Sequence, residues 1–420
     1  MNQRPRRLLF LFSDTGGGHR SSACAVAHAL RDLYDERVQV ELVDALADYA
    51  PWPFNRLGSM YPYMVRMKGW PWGIGYRLSD GPRQVALLTG GCWPWVRAAI
   101  RRLIRDHPAD AIVSFHPIFN HLLSQTLAQA GNKTPLITQV IDLATAHAFW
   151  FAPQVTLCLV PTGENRQRAL ARGLPDERVL VTGLPVEPRF VAATRQDPRV
   201  VRRRLGLEPD LPTVLLIGGA EGMGPLRRIS KAMADNDARA QLVIVTGRNE
   251  RLRARLSAEL VTVRNGHSDG TTLTVRNSHS DGTTLTVRNS HSDGTTWPFP
   301  VRVEGFVPNM HEWMRAADLL VTKAGPSTVC EALVMGLPIV LSGALPGQER
   351  PTVDYVVQAG AGVWAPTAGR VAKAVRELLA PGSPVLAQMS ARAQSLARPD
   401  AAWRAAEIVW GVANGELGHQ

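Results

Sequence analysis

One arrangement recurs along this chain and limits what it can fold into. A short apolar run ends in a turn, often glycine-bearing, and a helix-patterned stretch follows. Leu8–Ser13 is such a run, short and almost wholly apolar, which suits a strand buried in a parallel sheet. Gly16, Gly17 and Gly18 come next. Ala23, Val26, Ala27 and Leu30 then fall at helical spacing within 20–33. Val38–Val43, Ala111–Phe115, Leu136–Ile141, Leu157–Val160 and Arg178–Thr182 continue the strand series. A second series holds Thr213–Ile217, Leu242–Thr246, Val301–Glu304, Leu319–Thr322 and Pro338–Leu341. Strands separated by helices are joined by right-handed crossovers, and the sheets they build are parallel. The expected fold class is α/β, with two Rossmann-like domains and ligands in a central cleft at the carboxyl ends of the strands.

The expected divisions are a first domain over 1–190, a linker over 191–212 rich in Arg and Pro, and a second domain over 213–400. A helix over 401–420 carries Trp403, Ala406, Val409 and Trp410 at helical intervals and is expected to return to the first domain. Within the second domain, 262–297 holds three near-copies of a twelve-residue unit, TVRNGHSDGTTL, TVRNSHSDGTTL and TVRNSHSDGTTW. Asp-Gly and Asn-Ser favour turns and Thr-Val favours short strands, so an exposed protrusion dispensable for chemistry is expected. The recurring pairs His267/Asp269, His279/Asp281 and His291/Asp293 read as solvated loop rather than as metal ligands.

Charge narrows the partners. The 420 residues carry 47 Lys and Arg against 36 Asp and Glu, an excess of +11 that favours nucleic acid, a membrane surface or a phosphorylated substrate. Most of it is local: 51–105 has nine basic residues and a single acid, Asp80, together with Trp52, Trp70, Trp72, Trp93 and Trp95. Tryptophan partitions to the bilayer interface and basic side chains to anionic headgroups. Val96, Ile100, Leu103 and Ile104, interleaved with arginines, form an amphipathic helix of the interfacial kind. Trp52, Arg66, Trp70 and Trp72 are the expected membrane contacts, and anionic lipids the expected partners. No recognised DNA- or RNA-binding module is present, so nucleic acid is not expected. The apolar run Leu8–Phe12 is too short for a signal-peptide core, and no stretch approaches the ~18–20 apolar residues of a spanning helix. A peripheral protein on the cytoplasmic side of a membrane is the expectation. Cys24, Cys92, Cys158 and Cys330 form no C-x-x-C pair, which argues against a disulfide scaffold or zinc ribbon. Oligomeric state is not legible here.

Three turns carry the chemistry. Ser13 to His19 reads SDTGGGH between a strand and a helix, with no G-K-[ST] and no G-x-G-x-x-G. Its helix N-terminus suits an anionic or hydroxyl-bearing ligand, and His19 is either a general base or a capping residue. Gly218, Gly219, Ala220, Glu221 and Gly222 end the first strand of the second series. Lys323, Ala324, Gly325, Pro326, Ser327 and Thr328 lead from a strand into a helix that can hold a diphosphate, and Glu331, one turn on, can accept from a ribose diol. Gln348 and Glu349 offer an amide and a carboxylate to sugar hydroxyls. Together these fit a nucleotide with a sugar attached. Helix N–H groups and Lys323 can neutralise a leaving diphosphate, so no metal and no tightly bound cofactor are expected.

On these segments the chain resembles the monogalactosyldiacylglycerol synthase family. It is also similar to the wider group of bacterial diacylglycerol glucosyltransferases and the GlcNAc transferase that forms lipid II. The resemblance rests on SDTGGGHRSSA (13–23), PWPFN (51–55), VSFHP (113–117), GLPVEPRF (183–190), GGAEGMGP (218–225), TGRN (246–249), Gly305-Phe306 with Met310, TKAGPST (322–328) with Glu331, GLPI (336–339) and PGQE (346–349). It implies a GT-B fold and inverting transfer of a hexose, galactose favoured, from a UDP-sugar to 1,2-diacylglycerol. It implies His19 as base with Asp14 orienting its loop, and Phe306 and Val307 reading the uracil. Glu331 would hold the ribose. Gly218–Gly222, Thr246, Gly247 and Lys323–Thr328 would line the diphosphate side, and Gln348 and Glu349 would hold the sugar. Pro53 and Trp150 match positions tied to lipid or acceptor binding. The alternatives are a UDP-glucose-dependent diacylglycerol glucosyltransferase and a UDP-sugar epimerase of similar fold. Ala220 and Ser327 replace family glycines, and Glu187 stands where plant-type relatives tend to carry Arg, leaving Arg189 to supply any diphosphate contact from that loop.

Overall fold

The computed structural model describes residues 4–14, 17–52, 54–56, 70–235, 240–262 and 299–416. Pro53, Arg66 and the repeats beyond Thr262 lie outside the described residues.

The chain order of the first half is β1 (Arg6–Phe12), α1 (Gly18–Tyr34), β2 (Val38–Asp44), α2 (Ala45–Tyr49), α3 (Trp70–Ser79), α4 (Pro82–Asp106), β3 (Ala111–Ser114), α5 (Pro117–Gln129), β4 (Leu136–Gln139), β5 (Leu157–Val160), α6 (Gly163–Ala171), β6 (Val179–Val181) and α7 (Pro188–Ala193). The second half runs α8 (Pro198–Arg204), β7 (Thr213–Ile217), α9 (Leu226–Ala234), β8 (Gln241–Val245), α10 (Glu250–Thr262), β9 (Val301–Glu304), α11 (Met310–Ala316), β10 (Leu319–Lys323), α12 (Pro326–Val334), β11 (Ile339–Gly343), α13 (Arg350–Gln358), β12 (Gly362–Trp364), α14 (Ala368–Leu378), α15 (Val385–Leu396) and α16 (Ala401–Ala413). Among the described residues no helix is long and apolar enough to cross a membrane.

Two compact units result. Unit 1 holds residues 1–188, 345–352 and 398–420, and unit 2 holds 189–344 and 353–397. In unit 1 the sheet order is β2-β1-β3-β4-β5-β6, and every pair is parallel. Leu8 lies opposite Val40 on one side and Ala111 on the other. The winding reverses between β1 and β3, so the loops leaving their carboxyl ends flank a crevice, the usual ligand position in open α/β sheets. In unit 2 the order is β12-β11-β10-β7-β8-β9, again all parallel, and the reversal falls between β7 and β10. The glycine turns of the sequence follow β1 and β7, and TKAGPST follows β10. Each sits at a switch point.

The core of unit 1 joins Phe10, Val113 and Leu159 of the sheet, with Phe115 just past β3, to Ala23, Val26 and Leu30 of α1 and to Ala402, Ala405, Ala406 and Val409 of α16. Alanines on both helices allow close approach, and Tyr34 stacks on Trp410 with ring centroids 4.2 Å apart. Arg6 Nε donates to Asn414 Oδ1 at 2.8 Å, tying the end of α16 to β1. Unit 2 has its own core of Val214, Leu216, Leu242, Ile244, Leu319 and Val321, covered by Ile229 and Met233 of α9 and Val371 and Val375 of α14.

Three sequence boundaries shift. Residues 191–212 are not a bare linker. Asp197 caps α8 by accepting from the Arg199 N–H at 2.7 Å, and Pro198 starts it. Buried Arg202 then donates to Asp318 Oδ2 at 2.6 Å and to the Ala316 carbonyl at 2.7 Å, so this stretch is built into unit 2. Residues 345–352 group with unit 1 rather than with the strand they follow. Finally, β12 is a sixth strand in the second sheet. Its three residues, Gly-Val-Trp, carry no period to read, and pairing with β11 makes it a strand.

Candidate active site

The crevice of unit 1 opens where β1 gives way to α1. Gly17 caps α1 at φ 84°, a left-handed conformation that a side chain would resist, and no side chain caps the helix start. The first-turn N–H groups are thus left for solvent or ligand. His19 is the second residue of α1. Its Nδ1 lies 2.6 Å from the carbonyl oxygen of Phe115, the residue just past β3. A carbonyl only accepts, so Nδ1 carries the proton and Nε2 keeps its lone pair. Burial is the main influence on this imidazole and lowers its pKa to about 4, against the opposing pull of the Phe115 carbonyl and the Asp14 and Asp44 charges. His19 is therefore neutral at physiological pH, with one nitrogen fixed and one available.

Asp14 stands at the start of the turn. Its N–H donates to Asp44 Oδ2 at 3.0 Å, and its carboxylate pairs with Arg20 at 3.3 Å. Asp44 also accepts from the Ala47 N–H at 3.0 Å, capping α2. The two carboxylates tether the loop between β1 and α1 to the end of β2.

Around His19 stand Trp150, which the sequence singled out, and His116 and Asp142, which it did not. The His116 ring lies 4.5 Å from it, buried, and burial followed by the neighbouring His19 holds its pKa well below the usual range. Trp150 stacks 6.2 Å away and is fully buried, so it is a wall beside His19 and not a membrane contact. Its Nε1–H donates to Asp142 Oδ2 at 2.7 Å. Burial pushes Asp142 up to about 6, against the hydrogen bonds from Trp150, Gln348 and His147. Gln348 Nε2 lies 3.4 Å from Asp142 Oδ1, and Glu349 accepts from the Leu345 N–H at 2.9 Å. The expected sugar-binding pair thus sits in unit 1 with Asp142, although it follows β11 (Ile339–Gly343) of the second sheet in the chain. One available signal was His116 inside the segment VSFHP at the end of a strand. Asp142 likewise follows β4 at the same edge of the sheet.

In unit 2, the turn after β7 is tightly built. Gly222, at φ 57°, leaves no room for a side chain, since a Cβ there would lie 2.0 Å from the Thr246 carbonyl oxygen. The N–H of Arg248 donates to the Ala220 carbonyl at 2.8 Å, so the turn 218–222 and the turn after β8, with Thr246 and Gly247, brace each other. Ala220 is not at positive φ, so the turn takes an alanine there without strain. Glu221 pairs with Arg248 at 2.8 Å. The Arg248 guanidinium in turn lies 5.3 Å over the ring of Phe306, a phenyl group 57% exposed just before Val307. An exposed ring next to a guanidinium suits stacking by a planar base. Lys323 ends β10, and Ala324 leads to Gly325, the N-cap of α12, again without a side-chain cap, and Pro326 opens the helix. Ser327, Thr328 and Glu331 follow on its first turns; Ser327 is helical and needs no glycine. Gly219 approaches this loop, an added Cβ falling 3.8 Å from Lys323 Cε.

Glu187 belongs to unit 1, where it is buried and paired with His28 of α1. Arg189 donates to the Pro308 carbonyl at 3.0 Å in unit 2. Among the described residues no group of three or more His, Cys, Asp or Glu could hold a metal ion. The triplet Asp235-Asn236-Asp237 has D-x-D spacing, but Asp235 is the C-cap of α9, at the end away from the glycine turn.

The expected docking surface differs in one respect. Val96, Ile100 and Leu103 of α4 are buried, so the apolar stripe faces protein rather than a bilayer. An amphipathic stripe packs on a neighbouring helix as readily as on lipid. Among the side chains α4 exposes are Leu87 (77%), Leu88 (48%), Trp95 (72%) and Arg83, Arg97, Arg101, Arg102 and Arg105. Trp52 is exposed too, and Trp70 and Trp72 open α3. Asp80, the one acid of this region, is held by Arg168 and Arg172.

Residues 19–186 match the family described as monogalactosyldiacylglycerol (MGDG) synthase, and 213–404 match the glycosyltransferase family 28 C-terminal domain. The chain is 35% identical over 412 residues to monogalactosyldiacylglycerol synthase 1, chloroplastic, of Arabidopsis thaliana, an alignment covering 96% of this chain and 70% of that protein. In fold it is similar to MurG of Acinetobacter baumannii, with a TM-score of 0.58 at 14% identity over 97% of this chain and 99% of that one. It is likewise similar to S. aureus MnaA in a co-structure with UDP, at a TM-score of 0.56 and 14% identity over 99% and 98% of the two chains. The architecture is that of GT-B glycosyltransferases.

Proposed function

Because the chain belongs to the monogalactosyldiacylglycerol synthase family, we propose that it moves galactose from UDP-galactose to the free hydroxyl of 1,2-diacylglycerol, with inversion at the anomeric carbon. The single observation that carries this reading is the His19 imidazole, held by Phe115 in the tautomer that leaves Nε2 unprotonated.

The chemistry divides between the units. Unit 1 supplies the base and the acceptor side. Nε2 of His19 accepts the hydroxyl proton as the acceptor oxygen attacks the anomeric carbon, while Nδ1–H keeps the ring oriented toward the reacting oxygen. Asp14 acts through its tether to Asp44 and Arg20, holding the turn that positions α1. Unit 2 supplies the donor side. The base stacks at Phe306 and Val307, Glu331 accepts from the ribose diol, and the diphosphate meets Gly218–Gly222 and the uncapped start of α12 with Lys323, Ser327 and Thr328. As the bond between anomeric carbon and diphosphate breaks, its charge falls on those N–H groups and Lys323, which stabilise it without reorganising. Gln348 and Glu349 recognise hydroxyls of the transferred sugar. The exposed tryptophans and arginines of 51–105 bring the protein to anionic lipid on the cytoplasmic face, where the acceptor resides.

The test is product analysis with UDP-galactose or UDP-glucose and vesicles containing dioleoylglycerol. β-Galactosyl diacylglycerol is the expected product, with UDP-galactose preferred. An α-linkage, or conversion of the UDP-sugar in the absence of lipid, would count against the reading.

A further inference from the structure

Inside unit 1, α2, α4 and α5 enclose a cavity of about 250 Å³. Leu46, Leu88, Val96, Ile100, Phe119 and Leu122 represent its wall, and the two hydroxyl-bearing members present no free polar atom. Thr89 donates its hydroxyl to the Val85 carbonyl at 2.7 Å, leaving its methyl group for the cavity. Tyr49 has its hydroxyl 2.8 Å from His107 Nε2, at the far end of the ring. A polar occupant would therefore lose its hydrogen bonds to water and gain none, whereas a hydrocarbon chain arriving from a bilayer has none to lose. At one end the wall reaches the surface at Leu88, which is 48% exposed, on the same helix that shows Leu87, Trp95 and the arginines to solvent. At the other, Phe119 lies 5.1 Å from the His116 ring, which lies 4.5 Å from His19. Phe149, also in the wall, directly precedes Trp150. The cavity is smaller than the roughly 300–1,000 Å³ of sites that take drug-sized ligands, which suits the inner part of one chain and not two chains.

We propose that this cavity holds one acyl chain of the acceptor diacylglycerol, entering past Leu88, so that the glycerol hydroxyl is presented two rings away at His19. This inference rests on the galactosyl-transfer reading and adds to it a subsite that selects for chain length.

Two measurements test it. Cys92 lines the cavity and is half-buried, so alkylation by a small maleimide, read by peptide mass, reports occupancy in the unaltered protein. Dioleoylglycerol in neutral phosphatidylcholine vesicles is expected to slow Cys92 alkylation by about fivefold or more, and dihexanoylglycerol to slow it much less. Equal rates with and without dioleoylglycerol overturn the proposal, as does equal protection by phosphatidylglycerol alone, which would assign the cavity to an anchoring lipid. In parallel, Ala99→Trp fills the cavity. The ratio of kcat/KM for dioleoylglycerol over dihexanoylglycerol should fall by about fivefold or more, with the KM for UDP-galactose unmoved. An unchanged ratio in the folded variant contradicts the subsite. A wild-type protein that galactosylates neither acceptor would sink the transfer reading, and the Cys92 result would still decide the cavity.

Discussion

At the scale of single residues, the environment of His19 sets its chemistry. With its pKa lowered to about 4, the ring stays neutral through the physiological range and loses its role as base only when acidified close to that value. The acid limb of kcat/KM is accordingly expected near pH 4, with little change between pH 8 and 5. A limb at the ordinary histidine value near 6.5 would show an imidazole more open to water than this one. The linkage has a matching sign. Between pH 6.5 and 4 the unfolded chain binds a proton that folded His19 does not, so stability declines as pH falls through that window. Asp142 has the opposite sign. Its folded pKa of about 6 lies above the unfolded value, so its contribution is present at low pH and is lost as pH rises through 6. Asp142→Asn removes the cost of the buried charge, and its Tm relative to wild type should improve from pH 5 to pH 8. A pH-independent difference would show that Asp142 does not titrate there. Neither behaviour is legible from motif spacing. SDTGGGH marks His19, but its low pKa comes from burial by packing that no local pattern encodes, and its tautomer from the Phe115 carbonyl, 96 residues away.

At the scale of elements, strands and glycine turns were readable because each has a local cause. Leu157–Val160 and Thr213–Ile217 are apolar or nearly apolar runs that end where expected, since a buried parallel strand needs only length and apolar residues. What α4 faces was not readable. Its stripe of Val96, Ile100 and Leu103 is as apolar as a membrane-seeking one, and only tertiary packing decides between core and lipid. On the proposed function, contact with lipid falls to the side chains the helix leaves outside. Replacing Trp95, Arg97 and Arg101 together by alanine should weaken binding to phosphatidylglycerol vesicles by roughly tenfold or more, at about 1 kcal/mol for each basic residue. Binding to neutral vesicles should change far less. Cosedimentation at fixed ionic strength checks this, and an unchanged anionic affinity would move the docking face elsewhere.

At the scale of the whole molecule, two doubly wound sheets place their switch points at β1/β3 and β7/β10, and each switch point receives the same kind of turn: strand, glycine, uncapped helix. The two-domain plan was legible from strand order alone, but its boundaries were not. The chain passes between units at 188/189, 344/345, 352/353 and 397/398, and a linear reading has no means of assigning 345–352 to unit 1 when its strand belongs to unit 2. The assignment carries chemical weight, because it brings Gln348 to Asp142 within the unit that holds His19. The division of labour, base in unit 1 and nucleotide in unit 2, is the central claim. It is tested most directly by turnover of UDP-galactose with dioleoylglycerol, and by UDP affinity, in His19→Ala. The account predicts a loss of roughly 100-fold or more in kcat with the Kd for UDP within about twofold of wild type. Wild-type turnover, or a loss explained wholly by weakened UDP binding, would contradict it.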